Sequence, residues 1–300
     1  MLYRVYGIVL WSDVSFWQLV EEKKEVPYDF AIRIKCFPEE VKAHIKANPG
    51  PFGRGDGFCW FNTPGGYFAV IKGQEILTEE SEEARLALMR TYLLGYGIAM
   101  LFLENGEMAV HCSAVAGKDG CLLLSGYSGA GKSTLAGQFL EQGWKLMADD
   151  VAMLRLCDDK LMTAPAFPVR KLCRDAALQK GYDLRELLYI DEDKDKYAVK
   201  CPEMFADGPA RVKAMFVIKP YDGDEVKVQE LTGQEKIRTF MKNLFLHVVF
   251  ERDEMTPERF FKCLEILEKL PLYLLYRPLR VADSAREMAD LILTLQSSWE

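Results

Sequence analysis

The stretch Cys121-Leu122-Leu123-Leu124-Ser125-Gly126-Tyr127-Ser128-Gly129-Ala130-Gly131-Lys132-Ser133-Thr134 decides how the rest of the chain is read. An apolar, strand-like run feeds a glycine-rich turn, and a helical pattern follows from Leu135 to Gln142. The spacing G-x-x-x-x-G-K-S is that of a loop that cradles phosphate. Glycines let successive N–H groups turn inward without a Cβ in the way. The helix N-terminus adds unpaired donors and a partial positive charge. In such a loop Gly126, Tyr127, Ser128, Gly129, Ala130, Gly131, Lys132, Ser133 and Thr134 line the nucleotide. Lys132 reaches the β- and γ-phosphates, and the Ser133 hydroxyl ligates Mg²⁺. Chance yields this pattern in about one chain of such length per hundred. Nucleotide binding is therefore the anchor of the reading.

Just upstream, Met108 to Ala116 alternates as a strand, and Gly117-Lys118-Asp119-Gly120 is a hairpin signal. With Lys118-Asp119 as the turn, His111 lies opposite Gly126; with Asp119-Gly120 as the turn, it lies opposite Ser128. Both registers put His111 beside the glycine loop. Downstream, Gly143 ends the helix and Trp144 to Ala148 forms a strand that terminates in Asp149-Asp150. Carboxylates at the C-terminal end of a strand next to such a loop are where Mg²⁺ is held. Neighbouring strand residues point to opposite faces, so only one of the two acids is expected to line the site directly. A basic cluster, Arg170, Lys171 and Arg174, follows around a turn and helix start.

Further out, residues 3–11 and 28–37 read as strands, and 48–66, rich in glycine and proline, as loops and tight turns. A hairpin is expected around Lys72-Gly73. Glu79, Glu80, Glu82 and Glu83 precede a helical pattern through Leu101, an acidic start that suits the helix dipole. Asp191 to Lys196 partly resembles a calcium loop, but its sixth position is Lys196 and its twelfth Pro202, so a charged loop is expected. Strands are read at 212–218, 226–231 and 272–276. Helices are read at about 233–248, with a Thr232…Glu235 capping box, at 257–270, and after Asp283 or Ser284. His44 and His247 sit on helical patterns and read as structural or exposed.

A net charge of −7 argues against a polyanion-binding surface, so nucleic acid is not an expected partner. The eight cysteines are scattered without a C-x-x-C pair, which indicates neither a disulfide framework nor a zinc site. No signal peptide is visible after Met1. The longest apolar run, Tyr92 to Leu103, is shorter than the roughly 20 residues a bilayer-spanning helix needs. The expectation is a cytoplasmic protein with reduced thiols and no membrane span.

Three signatures occur in order: His111-Cys112-Ser113-Ala114-Val115, Gly126 through Thr134, and Ala148-Asp149-Asp150. With these, the chain resembles the catalytic domain of the HPr kinase/phosphorylase family. Pro165-Ala166-Phe167-Pro168-Val169-Arg170 is similar to the segment that follows in HPr-kinase-like serine kinases. Tyr6-Gly7 and Tyr92-Leu93-Leu94-Gly95 look like the branch that includes precursor-peptide kinases. The resemblance implies an α/β fold, a P-loop-containing core shared with phosphoenolpyruvate carboxykinase. An N-terminal mixed α+β region over 1–105 and a kinase domain over 106–300 follow from it. It implies ATP and Mg²⁺, with transfer of the γ-phosphoryl group to a serine of a peptide or protein. Two adjacent carboxylates can divide the work: Asp149 is expected as the base, and Asp150 with Ser133 as metal ligands. Lys132, His111 and Arg170 are the remaining catalytic candidates, His111 near the γ-phosphate or tuning Asp149, and Arg170, together with Lys171, on the transferred charge or on an acidic substrate. Family members form oligomers, which leaves room for a homo-oligomer. The competing readings are a small-molecule kinase on the same core and a nucleotide-gated binding module that transfers nothing.

Overall fold

The computed structural model describes residues 1–79, 83–190, 195–245, 255–281 and 283–296. These fall into two units, Met1–Ala109 with Met255 and Thr256, and Val110–Phe245 with Pro257–Gln296. Both mix helices with sheets, so the class is mixed α/β.

The first unit is built on an eight-stranded sheet of order β3-β1-β2-β4-β8-β7-β6-β5. Its strands are β1 (Leu2–Val5), β2 (Ile8–Ser12), β3 (Val20–Glu21), β4 (Phe30–Ile34), β5 (Phe52–Gly55), β6 (Phe58–Thr63), β7 (Gly66–Ile71) and β8 (Glu75–Thr78). The single strand expected over 3–11 is a hairpin. Tyr6 and Gly7 both take positive φ (51° and 75°), the geometry of a tight two-residue turn, and Val5 pairs with Ile8. The expected loop over 48–66 is corrected too: it contains the hairpin of β5 and β6. Here glycine serves as a floor for aromatic rings. A Cβ on Gly53 would meet the Trp60 ring at 2.5 Å, and one on Gly55 would meet the Phe58 ring at 2.2 Å. Glycine content therefore signals ring-over-backbone packing here instead of a loop. Helix α1 (Glu39–Ala47) covers this face, and His44 accepts a hydrogen bond from Trp60 Nε1 at 3.1 Å, a structural role as expected.

Helix α2 (Glu83–Tyr92) runs through a π-turn at Leu93–Gly97 into α3 (Ile98–Glu104). The apolar helix is thus longer than the Tyr92–Leu103 run. Leu86–Glu104 has the length and composition of a membrane span, but 56% of its apolar window is buried, and Ile98 to Leu103 are all buried. Glu80 and Glu82 of the acidic run lie outside the described residues. Gly65, in the β6–β7 turn, touches this helix so closely that a Cβ would stand 2.5 Å from the Met89 nitrogen and 2.7 Å from its Cα. Backbone cannot yield as a side chain can. Gly65→Ala is expected to cost about 1–3 kcal/mol, read as a lower urea midpoint at unchanged slope.

The second unit carries the glycine loop. Its strands are β9 (Met108–Gly117), β10 (Gly120–Ser125), β11 (Lys145–Ala148), β12 (Val151–Cys157), β13 (Lys160–Thr163), β14 (Val169–Cys173), β15 (Leu188–Ile190), β16 (Lys196–Lys200), β17 (Ala210–Tyr221), β18 (Lys227–Glu230) and β19 (Leu272–Pro278). Its helices are α4 (Lys132–Glu141), α5 (Arg174–Gln179), α6 (Gly233–Asn243), α7 (Pro257–Lys269) and α8 (Ser284–Gln296). β10, β17 and β19 run parallel, side by side, while β9 and β18 flank them antiparallel. Leu122 and Leu124 of β10 join Phe216, Leu275, Leu135, Phe139, Met288 and Ile292 in one buried cluster. The alternation of β10 thus presses α4 and α8 onto one sheet face, and the loop between β10 and α4 is held at both ends. β14, β16 and β15 form a separate three-stranded sheet.

Gly117 pairs with Gly120, so Lys118-Asp119 is the turn and continuing the register sets His111 opposite Gly126. Thr232 caps α6 without a side-chain hydrogen bond, because Gly233 enters at φ 53° and the expected capping box is not wound. Helix α6 ends at Asn243, where Leu244 turns extended (ψ 134°), so the expected run to Val248 is corrected to a shorter helix. His247 lies outside the described residues, as do Asp191 to Lys194 of the charged loop.

Candidate functional site

The turn from β10 to α4 needs its glycines. Gly126, Gly129 and Gly131 take φ of 139°, 85° and 111°, a region that side-chain-bearing residues rarely enter. A Cβ on Gly126 would also stand 2.8 Å from the Ile218 carbonyl oxygen of β17. Ala130 is fully buried, whereas Tyr127 is 63% exposed. Helix α4 starts at Lys132, so its unpaired first N–H groups belong to the loop. Lys132 Nζ donates back to the carbonyls of Gly126 (2.8 Å) and Tyr127 (3.4 Å). The ammonium is thus folded over its own loop.

Beyond β11, the backbone bends and Asp150 takes φ 96°, an uncommon value for a residue other than glycine. This kink breaks strand alternation, so the expectation that only one acid faces the site is corrected. Asp149, buried, accepts from Ser113 Oγ (2.6 Å) and from the Lys171 amide (2.8 Å), and its Oδ1 lies 3.5 Å from Ser133 Oγ. Asp150 pairs with Lys171 Nζ (3.0 Å) and faces His111 Nδ1 (3.5 Å). Lys171, His111, Ser133 and both acids therefore meet at one end of β9, β11 and α4.

Charge follows from this arrangement. Loss of water opposes ionisation of Asp150, but Lys171 and then His111 outweigh it and hold the carboxyl down at about 2. Burial lowers the pKa of His111, with Asp150 opposing and Lys132, Lys196 and Lys171 assisting. Burial likewise lowers that of Lys132, opposed by Asp150. Because folding disfavours imidazolium at His111, its contribution to stability is complete above the unfolded value of about 6.5 and declines as pH falls below it. His111→Gln should therefore show a smaller loss of melting temperature between pH 7.5 and 5.5 than the parent chain, by thermal denaturation.

Arg170 does not reach the two acids. It is 4% exposed and donates through Nη2 to the Ser133 carbonyl (2.9 Å), bracing the first turn of α4. Lys171, one residue on, is the group that arrives at Asp150. Ser113 was findable from sequence, since it shares a strand face with His111 two residues before it. Lys196, placed by the sequence in a charged loop, contributes to the field at His111 and Lys132; only the pairing of β14 with β16 brings it near. Ser125 Oγ donates to the His111 carbonyl (2.6 Å) and lies 2.7 Å from Asn243 Oδ1, tying α6 to the end of β10.

Among the described residues no group of three or more His, Cys, Asp or Glu side chains forms a metal cage. Two carboxylates and a serine hydroxyl still suit Mg²⁺, which binds through few protein oxygens and completes its shell with water and phosphate.

A strand, a glycine turn and a helix N-terminus facing paired acids thus come together within a mixed α/β unit. No family model matches the chain. It is similar to the HPr kinase/phosphorylase of an Exiguobacterium species, 32% identical over 117 residues, or 36% of this chain and 37% of that protein. The match thus spans little more than a third of the relative's length. The Hpr(Ser) kinase/phosphatase of Coxiella burnetii superposes at a TM-score of 0.31 and 11% identity over 63% of this chain and 97% of that one, too loosely to weigh on fold or function.

Proposed function

We propose that this chain is an ATP-dependent phosphotransferase that passes the γ-phosphoryl group to a serine hydroxyl of a peptide or protein. The observation that carries the reading is the meeting of Ser133 and Lys132, at the head of the glycine-turn helix, with Asp149, Asp150, His111 and Lys171. The partial similarity to HPr kinase/phosphorylase supports kinase chemistry and a protein acceptor.

In this reading the amides of 126–134 and Lys132 bind the phosphates. Mg²⁺, when bound, neutralises charge on the β- and γ-oxygens, with Ser133 and an aspartate as its protein ligands. The sequence expectation made Asp149 the base and Asp150 the ligand; the hydrogen bonds support the exchange of those roles. Both oxygens of Asp149 are taken, and it is the acid near Ser133. Asp150 keeps 28% of its side chain exposed and is ionised at neutral pH, able to take a proton without first losing one. The acceptor oxygen bonds to phosphorus, the bond to the bridging oxygen breaks, ADP leaves with the electron pair, and the hydroxyl proton passes to Asp150. Lys171 moving from Asp150 to the transferring group would neutralise charge there and strengthen the base. Arg170 acts through Ser133 as a positioning residue.

The test is incubation with γ-labelled ATP and serine-containing peptides and proteins, read by phosphoserine analysis. Label on free serine or a sugar alone would favour the small-molecule kinase. Bound but untransferred ATP with every acceptor would favour the binding module.

A further inference from the structure

Arg277 lies near the C-terminal end of β19, on the row of Pro220 in β17. The last paired row of β10 is Ser125 with Val217, so Arg277 stands three residues beyond the end of β10, level with the glycine loop. There its guanidinium covers Gly131, and a Cβ on that glycine would meet Arg277 Nη1 at 2.9 Å and Cζ at 3.7 Å. Its Nε is buried without a hydrogen-bond partner among the described residues. A buried N–H left unpaired costs free energy, and a cation gains most from pairing with an anion. Nearby, Lys219 is engaged over the Tyr276 ring at 5.4 Å and Arg280 pairs with Asp222. Arg277 is thus a cation without a described partner, placed against the glycine whose amide opens α4.

We propose that Arg277 is a further phosphate-binding residue of this site, reaching the phosphate chain of the nucleotide from the β19 side of the loop. The inference rests on the nucleotide reading above. Arginine presents forked donors that match phosphate oxygens, and its fixed charge needs no titration. The loop supplies backbone donors and Lys132 from α4; Arg277 supplies the side of the cradle that β10 and α4 leave open. It also gives position 131 a second reason to be glycine, beyond its φ of 111°.

Calorimetric titration with Mg·ATP and with magnesium tripolyphosphate, which lacks base and sugar, tests this. Arg277→Gln is expected to weaken both ligands by similar factors, about 10- to 100-fold, with Arg277→Lys intermediate. Unchanged affinities in Arg277→Gln, with the parent chain binding both, would reduce Arg277 to a packing residue. Weakening of ATP alone would assign it to the nucleoside and overturn the phosphate role. Melting temperature checks folding, and if the glutamine variant unfolds, Arg277→Lys must still weaken both ligands. A parent chain that binds neither ligand removes the nucleotide reading itself, and this inference with it.

Discussion

Asp150→Asn is expected to lower phosphoryl transfer by about 10²- to 10⁴-fold while ATP binds almost as before. Asparagine keeps the size and the kink but accepts no proton, and it releases Lys171 from its ion pair at 3.0 Å. Single-turnover transfer and equilibrium ATP binding, measured on the same preparation, separate the two effects. Asp149→Asn should behave differently: Mg²⁺ dependence shifts, because this is the acid beside Ser133. Should Asp149→Asn alone show intact binding with lost transfer, the roles revert to those read from the sequence.

Lys132→Ala is expected to weaken Mg·ATP binding by about 100-fold or more, since it removes the one side-chain cation on the loop itself. Its ammonium is held at 2.8 Å from the Gly126 carbonyl, and the buried surroundings favour its transfer to phosphate oxygens. Folding should survive, because among the described residues the lysine bonds to carbonyls of its own loop and the α4 core residues are untouched. Unchanged binding and turnover would mean that residues 126–134 are a structural turn.

The two predictions differ in how far sequence could reach. The place of Lys132 is legible in spacing alone, because the strand, the turn and the helix around it are contiguous in the chain. That of Asp150 is not. Strand alternation placed the two acids on opposite faces, and the positive φ at Asp150 that defeats this is a tertiary compromise: the carbonyl of Asp150 accepts from the Cys112 amide while its carboxylate is drawn to Lys171. Arg170 is likewise placed by tertiary packing: it is buried under α4 with its guanidinium on the Ser133 carbonyl, which no local pattern encodes. The hairpin at Phe52 to Thr63 is not legible from its glycines, because they answer to the bulk of Trp60 and Phe58 and not to turns.

What the sequence determined by itself is local: the glycine loop, the helix behind it, the acidic pair at a strand end, and His111 set beside the loop by a hairpin four residues wide. These are short-range consequences of backbone freedom and side-chain period. What only the tertiary structure decided is which distant groups share that space. Lys171 and Lys196 arrive through the β14–β16 pairing, Asn243 through α6, and Arg277 through a parallel strand more than a hundred residues downstream. Such neighbours are chosen by sheet order and by burial of the common core, and neither leaves a periodic trace in the chain.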